Sequence, residues 1–533
     1  MAARRSFWGW GIETDEPSHD ERLAAAARLS KRYGVEIDTP HAPDLAALNL
    51  RAPRLAAPPA LSACTRTEAH DRASHAYGKS YRDTIRAFKG EFPNPPDVVA
   101  YPRSEAEVVA VLEWCGEANA IAVPYGGGSS VVGGVEPEAS DRPWVSIDMG
   151  RLDQVLELDE TSRAARIQAG VLGPALEDQL RPKGYTLRHF PQSFEYSSLG
   201  GWIATRSGGH YATNHTHIDD FVESVRMVTP KGIWESRRLP GSGAGPSPDR
   251  LALGSEGILG IITEAWMRIQ ARPRFRASAG LTFDSFEAGY EAARHAVQAK
   301  LWPANCRLLD PVEAGNAAGL QGTEALLIIA FESAELPQDG MIRQAVQIAR
   351  EAGGRIDDDA IKVADGADEE IGRQGAVGAW RNSFVRAPYG RNMTAGMGVV
   401  GDTFETAITW DRWPAFHASV SAAMTDALQR VCGGGNLSVR FTHVYPDGPA
   451  PYYSFSGMGR PGAEIEMWTA LKTAASDAVI AGGGTITHHH AVGRDHRPWY
   501  DKQRPDLFAD ALRAAKKALD PAGLLNPGVL IDP

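Results

Sequence analysis

The run "THHHAVGRDH" places His488, His489, His490 and His496 within nine residues near the C-terminal end of the chain. Imidazole titrates at about 6.5, so such a run can pass protons in the neutral range or bind a metal ion. Successive side chains on extended backbone point to opposite faces, so two of these rings at most reach one ion unaided. No metal is therefore expected. A second reactive type stands in "PAPYYSF", where Tyr452 and Tyr453 are neighbours on a strand. A phenol titrates at about 10, so it works as a base near neutrality only beside a cation or a hydrogen-bond donor. Tyr453 faces the other way and is assigned to packing.

Far from these, three stretches are dense in Gly, Ser and Thr: "PYGGGSS" at 124–130, "PQSFEYSSLGGWIATRSGGH" at 191–210 and "LGSEGILGIITE" at 253–264. Backbone poor in side chains brings amide dipoles close to an anion. The first stretch is not a GxGxxG finger, because Val131 stands where the third glycine belongs. Nor is it a GxxxxGK loop, because Gly134 follows Gly133 where a lysine is required. Three such segments together predict a long ligand held by main-chain amides and hydroxyls.

At these segments the chain resembles the vanillyl-alcohol oxidase superfamily of flavoproteins. Within it, "SSLGGWIATRSGG", "VRMVTPKG", "GDTFETAITWDRW", "THVYPDGPAPYYSF" and "THHHAVG" resemble the alkylglycerone-phosphate synthase family, also called alkyl-dihydroxyacetonephosphate synthase. The resemblance implies FAD, bound non-covalently because "PYGGGSS" offers no histidine or cysteine as a tether. Its implied lining is Pro124, Tyr125, Gly126, Gly127, Gly128, Ser129 and Ser130, then Gln192, Ser193, Ser197, Ser198, Gly201, Thr205, Ser207 and Gly208, then Gly254, Glu256, Gly257, Gly260 and Ile262. Gln192 departs from the family, which more often has an acid there.

The same resemblance makes Tyr452 the catalytic acid or base, sets His489 and His490 over substrate and flavin with His488 in support, and puts Arg391 and Arg307 on the substrate. A planar guanidinium suits a phosphate or a carboxylate. Asp310 is the competing intramolecular partner for Arg307, and Asn392 follows Arg391 where the family usually has an acid. The implied activity is exchange of the acyl group of acyl-dihydroxyacetone phosphate for a long-chain alcohol, without net redox, to form an ether-lipid precursor. The alternative is a FAD-linked dehydrogenase or oxidase of a lactate- or glycolate-like 2-hydroxy acid, in which an arginine would clamp the carboxylate.

The elements that must position these residues are partly legible. "DVVAYP" and "IAVPYG" read as short strands on either side of a helix opened by a capping box of Ser104 and Glu107. "QVLELDETSRAARIQAG" reads as an antiparallel hairpin, which a doubly wound parallel sheet would not normally insert at this point. "GPALEDQLRPKGYTL" reads as a helix with Pro174 in its first turn and Gly184 beyond its end. The fold class is therefore α+β: a vanillyl-alcohol oxidase type FAD-binding domain at 93–272 and an α+β substrate or cap domain at 273–459. Helical segments at 1–92 and 460–533 flank them, the latter completing the active site. The aromatic "FWGWG" in the first segment docks on a core.

With 533 residues, 43% hydrophobic and 23% charged, the chain is an ordinary globular protein of two or three domains. Its net charge of -11 argues against a non-specific grip on nucleic acid. Four dispersed cysteines make neither a disulfide framework nor a thiolate zinc site and fit a reducing compartment. The twin arginine at the start leads into polar sequence rather than a signal core, and no run of about 18 apolar residues follows anywhere. We expect a cytoplasmic homodimer acting on a small-molecule or lipid-like substrate, in peripheral contact with membranes but without a span.

Overall fold

The computed structural model describes residues 4–532 apart from 212, 214–216 and 367–374. Four sheets organise it. A small sheet pairs the strands Val98–Ala100, Trp144–Asp148 and Ile121–Tyr125 in parallel, with Thr65–Arg66 added antiparallel at its edge. The helix Glu105–Glu117 makes the crossover from Val98–Ala100 to Ile121–Tyr125, on either side of Trp144–Asp148, burying Val108, Val111, Leu112 and Cys115. Ser104 caps it by accepting the Glu107 N–H at 3.3 Å. Only half of the expected capping box forms, because the Glu107 carboxylate accepts the backbone N–H of Arg103 instead.

The predicted hairpin is present as Val155–Asp159 against Ala164–Gln168, and it belongs to a five-stranded antiparallel sheet completed by Ile261–Arg268, Val222–Thr229 and Gly232–Glu235. The helix Gly173–Leu180 carries Pro174 in its first turn, and Gly184 stands past its end in the left-handed region. A two-stranded ribbon, Tyr185–Thr186 with Gln270–Ala271, closes this half.

The second half is built on a seven-stranded antiparallel sheet in the order Lys362–Asp365, Phe275–Phe283, Ala325–Ser333, Asn305–Leu309, Asn436–Val444, Pro449–Met458, Val399–Glu405. Helices Phe286–Gln298, Asp339–Glu351, Trp413–Cys432 and Glu464–Ala481 bury their apolar stripes in its core. That core runs past residue 459, since Met467, Trp468 and Leu471 are part of it. The chain then returns to the first half: Leu512, Val529 and Leu530 join the core under the five-stranded sheet, and Leu525 bridges to Ala122. No helix among the described residues is long and apolar enough to cross a membrane. The fold is thus α+β, as expected, with the helical termini stitched into both halves.

Candidate active site

The three glycine-rich segments meet. A Cβ on Gly127 would lie 1.6 Å from the Tyr196 carbonyl oxygen, one on Gly126 would lie 2.1 Å from Ser198 Oγ, and one on Gly257 would lie 3.0 Å from Pro124 Cγ. These glycines therefore allow ribbon to pack on ribbon. Between the ribbons and the seven-stranded sheet lies a cavity of about 400 Å³, a size typical of ligand sites.

Among the described residues, no backbone amide from Gly126 to Val131 donates a hydrogen bond to another protein group. Orphaned amides need an acceptor. A run of them along a cavity is what a diphosphate requires, so these residues fit a flavin dinucleotide. Pro124 to Ser130, Gln192, Ser193, Ser198, Gly201, Thr205, Ser207, Gly208, Glu256, Gly257, Gly260 and Ile262 all line the cavity.

Two expected lining residues do not. Ser197 turns inward, where its hydroxyl accepts the Trp202 indole N–H at 2.7 Å and donates to the Ser193 carbonyl. Gly254 sits in the left-handed region at φ +75, against Arg206, where it allows a turn instead of touching a ligand. Glu256 lines the cavity, but its carboxylate is spent on the backbone N–H groups of Val492 and Gly493, at 2.9 and 2.8 Å. Burial pushes it up to about 7 against the pull of those two donors.

On the facing sheet, three strands set Glu405, Tyr452 and Arg440 side by side in one cross-strand row. The Arg440 guanidinium lies 4.1 Å from the Tyr452 ring centroid, and the Tyr452 hydroxyl donates to Thr403 Oγ1 at 3.0 Å. Burial raises the Tyr452 pKa, and Arg440 and Thr403 only partly offset it. The phenol is therefore protonated at neutral pH and is poised as an acid. Tyr453 packs on the other face, stacked on Phe404.

His489 stacks over the Tyr452 ring at 6.0 Å between centroids, and His490 meets it edge-on at 5.5 Å. Both line the cavity, whereas His488 lies behind them with its Nε2 2.7 Å from the Tyr445 hydroxyl and its Nδ1 3.0 Å from His489 Nδ1. Burial lowers His490 to about 3 and, with His217 adding to it, holds His488 well below its usual range. These two rings are neutral at pH 7. His496 is buried away from them, bonded to the Ala491 carbonyl.

His443, from the neighbouring strand, joins two rings of that run, His488 and His489. One nitrogen from each of His443, His488 and His489 falls within 4.8 Å of the others. His488 is hydrogen-bonded to Tyr445 and His489, whereas His443 is held by Thr442 and the Gly209 carbonyl and meets the other two rings only by contact.

The arginines divide differently from expectation. Arg391 lines the cavity, but it is already paired with Asp402 at 2.8 Å and donates to the Lys79 carbonyl. Arg307 is 2% exposed, has no carboxylate partner among the described residues, donates from Nη2 to the His210 carbonyl at 3.3 Å, and keeps its Nε and Nη1 without an acceptor. It sits against Trp380 and Phe384 at 4.9 and 5.0 Å, and burial, then Arg440, lower its pKa to about 9. Asp310 is not its partner, because that carboxylate caps the helix Pro311–Ala318 and accepts the Val439 N–H.

Several site residues escaped the sequence. Glu405 accepts the backbone N–H groups of His488, His489 and His490 together with the Thr487 hydroxyl. Arg440, Thr403 and His443 arrive by register on the sheet. Trp10, from the N-terminal segment, reaches the cavity because Asn392 clasps its backbone at both N–H and carbonyl.

Comparison with known proteins accords with this geometry. A model described as FAD binding domain matches residues 96–236, and one described as FAD linked oxidases, C-terminal domain, matches residues 272–530. The alkyldihydroxyacetonephosphate synthase of Caenorhabditis elegans is 32% identical over 87% of this chain and 81% of its own length. The chain belongs to the alkyldihydroxyacetonephosphate synthase family. A second relative of that name, from Dictyostelium discoideum, is 30% identical over 86% of this chain and 77% of its own. A solved alkyldihydroxyacetonephosphate synthase superposes with a TM-score of 0.80 at 25% identity, covering 98% of this chain and 97% of that one. Membership makes the chain an FAD-dependent enzyme.

Proposed function

We propose that this member of the family exchanges the acyl group of acyl-dihydroxyacetone phosphate for a long-chain alcohol, releasing a fatty acid and forming an alkyl ether. The observation that supports it most is the pairing, on one sheet, of an acid at Tyr452 with a buried guanidinium at Arg307 whose Nε and Nη1 have no acceptor among the described residues. A phosphate dianion compensates such a charge, and the planar fork donates to two of its oxygens.

The amides of Gly126–Val131 would hold FAD non-covalently, and the bound flavin would supply an electrophilic ring beside the substrate. The chain does the rest. Arg307 binds the phosphate and fixes which end of the substrate faces Tyr452. Tyr452 Oη donates a proton to the departing carboxylate oxygen. His489 takes a proton from C1 and returns one to C1 once the ether has formed, the alcohol proton restores the Tyr452 hydroxyl, and His490 and the His488–Tyr445 hydrogen bond hold the rings in place. Trp10, Phe384 and Pro388 supply apolar wall and exclude water.

Both reactants are lipid-like, and Leu507 and Phe508, 83% and 50% exposed at the start of a helix, support transient contact with a membrane surface. A cytoplasmic homodimer is part of the proposal, checked by sedimentation velocity and fractionation. The central experiment incubates holoenzyme with acyl-dihydroxyacetone phosphate and labelled hexadecanol. Labelled alkyl ether and one fatty acid per ether are expected. Oxidation of lactate or glycolate with no ether formed would replace this proposal with the 2-hydroxy acid alternative.

A further inference from the structure

The orphaned amides at 126–131 supply partial charges only, yet a bound diphosphate carries full negative charge. A cation stands beside them. The segment Gly78–Lys79 is pressed onto this loop: the Lys79 N–H donates to the Ser130 carbonyl at 2.6 Å, and a Cβ on Gly78 would lie 2.3 Å from that same oxygen. The Lys79 carbonyl is held from the other side by Arg391 Nη1 at 2.6 Å. With its backbone pinned at both groups, the side chain lines the cavity. Its ammonium makes no ion pair among the described residues.

Two carboxylates, Asp83 and Glu16, act on this ammonium from beyond ion-pair distance. Arg5 donates to the Gly127 carbonyl and stands 3.7 Å from Asp148, so it braces the loop from behind. Arg391 is neutralised by Asp402. Asp83 pairs with Arg86 at 2.8 Å. Burial, with Arg5 as the nearest like charge, lowers Lys79 to about 8, which fits an ammonium waiting for an anion.

We propose that Lys79 is a cofactor-binding residue whose ammonium pairs with the diphosphate of FAD held by the amides of Gly126–Val131. The inference rests on FAD binding and is independent of the substrate proposed above. No sequence signal announces it, since Lys79 lies 47 residues before the loop's first glycine, Gly126, in a segment that reads as helix and loop.

The test titrates FAD and riboflavin separately into protein stripped of flavin, following the quenching of flavin fluorescence. Riboflavin has the ring without the diphosphate. For Lys79→Met, FAD affinity should fall roughly tenfold or more while riboflavin affinity stays unchanged, and Lys79→Arg should bind FAD nearly as the parent does. In the unsubstituted protein, added KCl should weaken FAD and leave riboflavin alone, a readout that needs no variant to fold. Equal weakening of both ligands by Lys79→Met, or salt-independent FAD binding by the unsubstituted protein, would overturn the assignment.

Discussion

Glu405 and His489 are joined twice: the carboxylate accepts the His489 backbone N–H at 3.2 Å and stands 3.3 Å from its Nδ1. The same buried carboxylate also takes the N–H groups of His488 and His490. One acid thus fixes the loop that carries all three imidazoles. Burial opposes its ionisation, but the rings of His489, His490 and His488 and the hydrogen bond from His489 hold its pKa well below the usual 4.5.

Glu405→Gln keeps the shape but leaves one acceptor oxygen for several donors. We expect a loss of about 2–4 kcal/mol of stability at pH 7, since buried donors are left unpaired. Because the folded-state pKa of Glu405 lies below its unfolded value, its stabilisation is complete above about pH 4.5 and is lost as pH falls below that. Urea midpoints of parent and variant should therefore draw together as pH falls below about 4.5.

Tyr452→Phe removes the proton donor and nothing from the cofactor cradle. Turnover should fall about 10²–10⁴-fold with FAD affinity unchanged, measured by product formation and by flavin titration. A variant that also lost FAD would show that the phenol has a structural role.

Arg307→Met replaces a buried charge that has no carboxylate partner with an apolar side chain of similar length. Stability should be unchanged or higher, because such a charge is costly to bury. KM for the phosphate substrate should rise roughly 100-fold, as charge-assisted hydrogen bonds are lost. A lower melting temperature with unaltered KM would assign Arg307 to packing against Trp380 and Phe384.

Gly127→Ala forces a methyl into the Tyr196 carbonyl, 1.6 Å away. The two ribbons must part, so destabilisation of roughly 3 kcal/mol or more and loss of FAD are expected together, read from urea unfolding and flavin content.

The cradle was legible because glycine is demanded by backbone approach, and backbone approach leaves its mark in local sequence. The carboxylate anchors were not. Glu405 stands inside "GDTFETAITWDRW", a string that carries the resemblance without singling out this acid, and its partners lie more than 80 residues away. Asn392 looked like a weakened support for Arg391; it clasps Trp10 instead, and Asp402 supports the arginine. Arg440 reaches Tyr452 through strand register alone. Such partnerships are set by how strands and loops meet across the fold, which spacing along the chain does not encode.

The central claim is exchange without net electron transfer. Its most direct measurement is the visible spectrum of the holoenzyme, kept anaerobic with no electron acceptor, during incubation with acyl-dihydroxyacetone phosphate and a long-chain alcohol. The account predicts many equivalents of alkyl ether per flavin with the oxidised flavin band restored at the end. Arrest after a single equivalent with the band permanently bleached would contradict it.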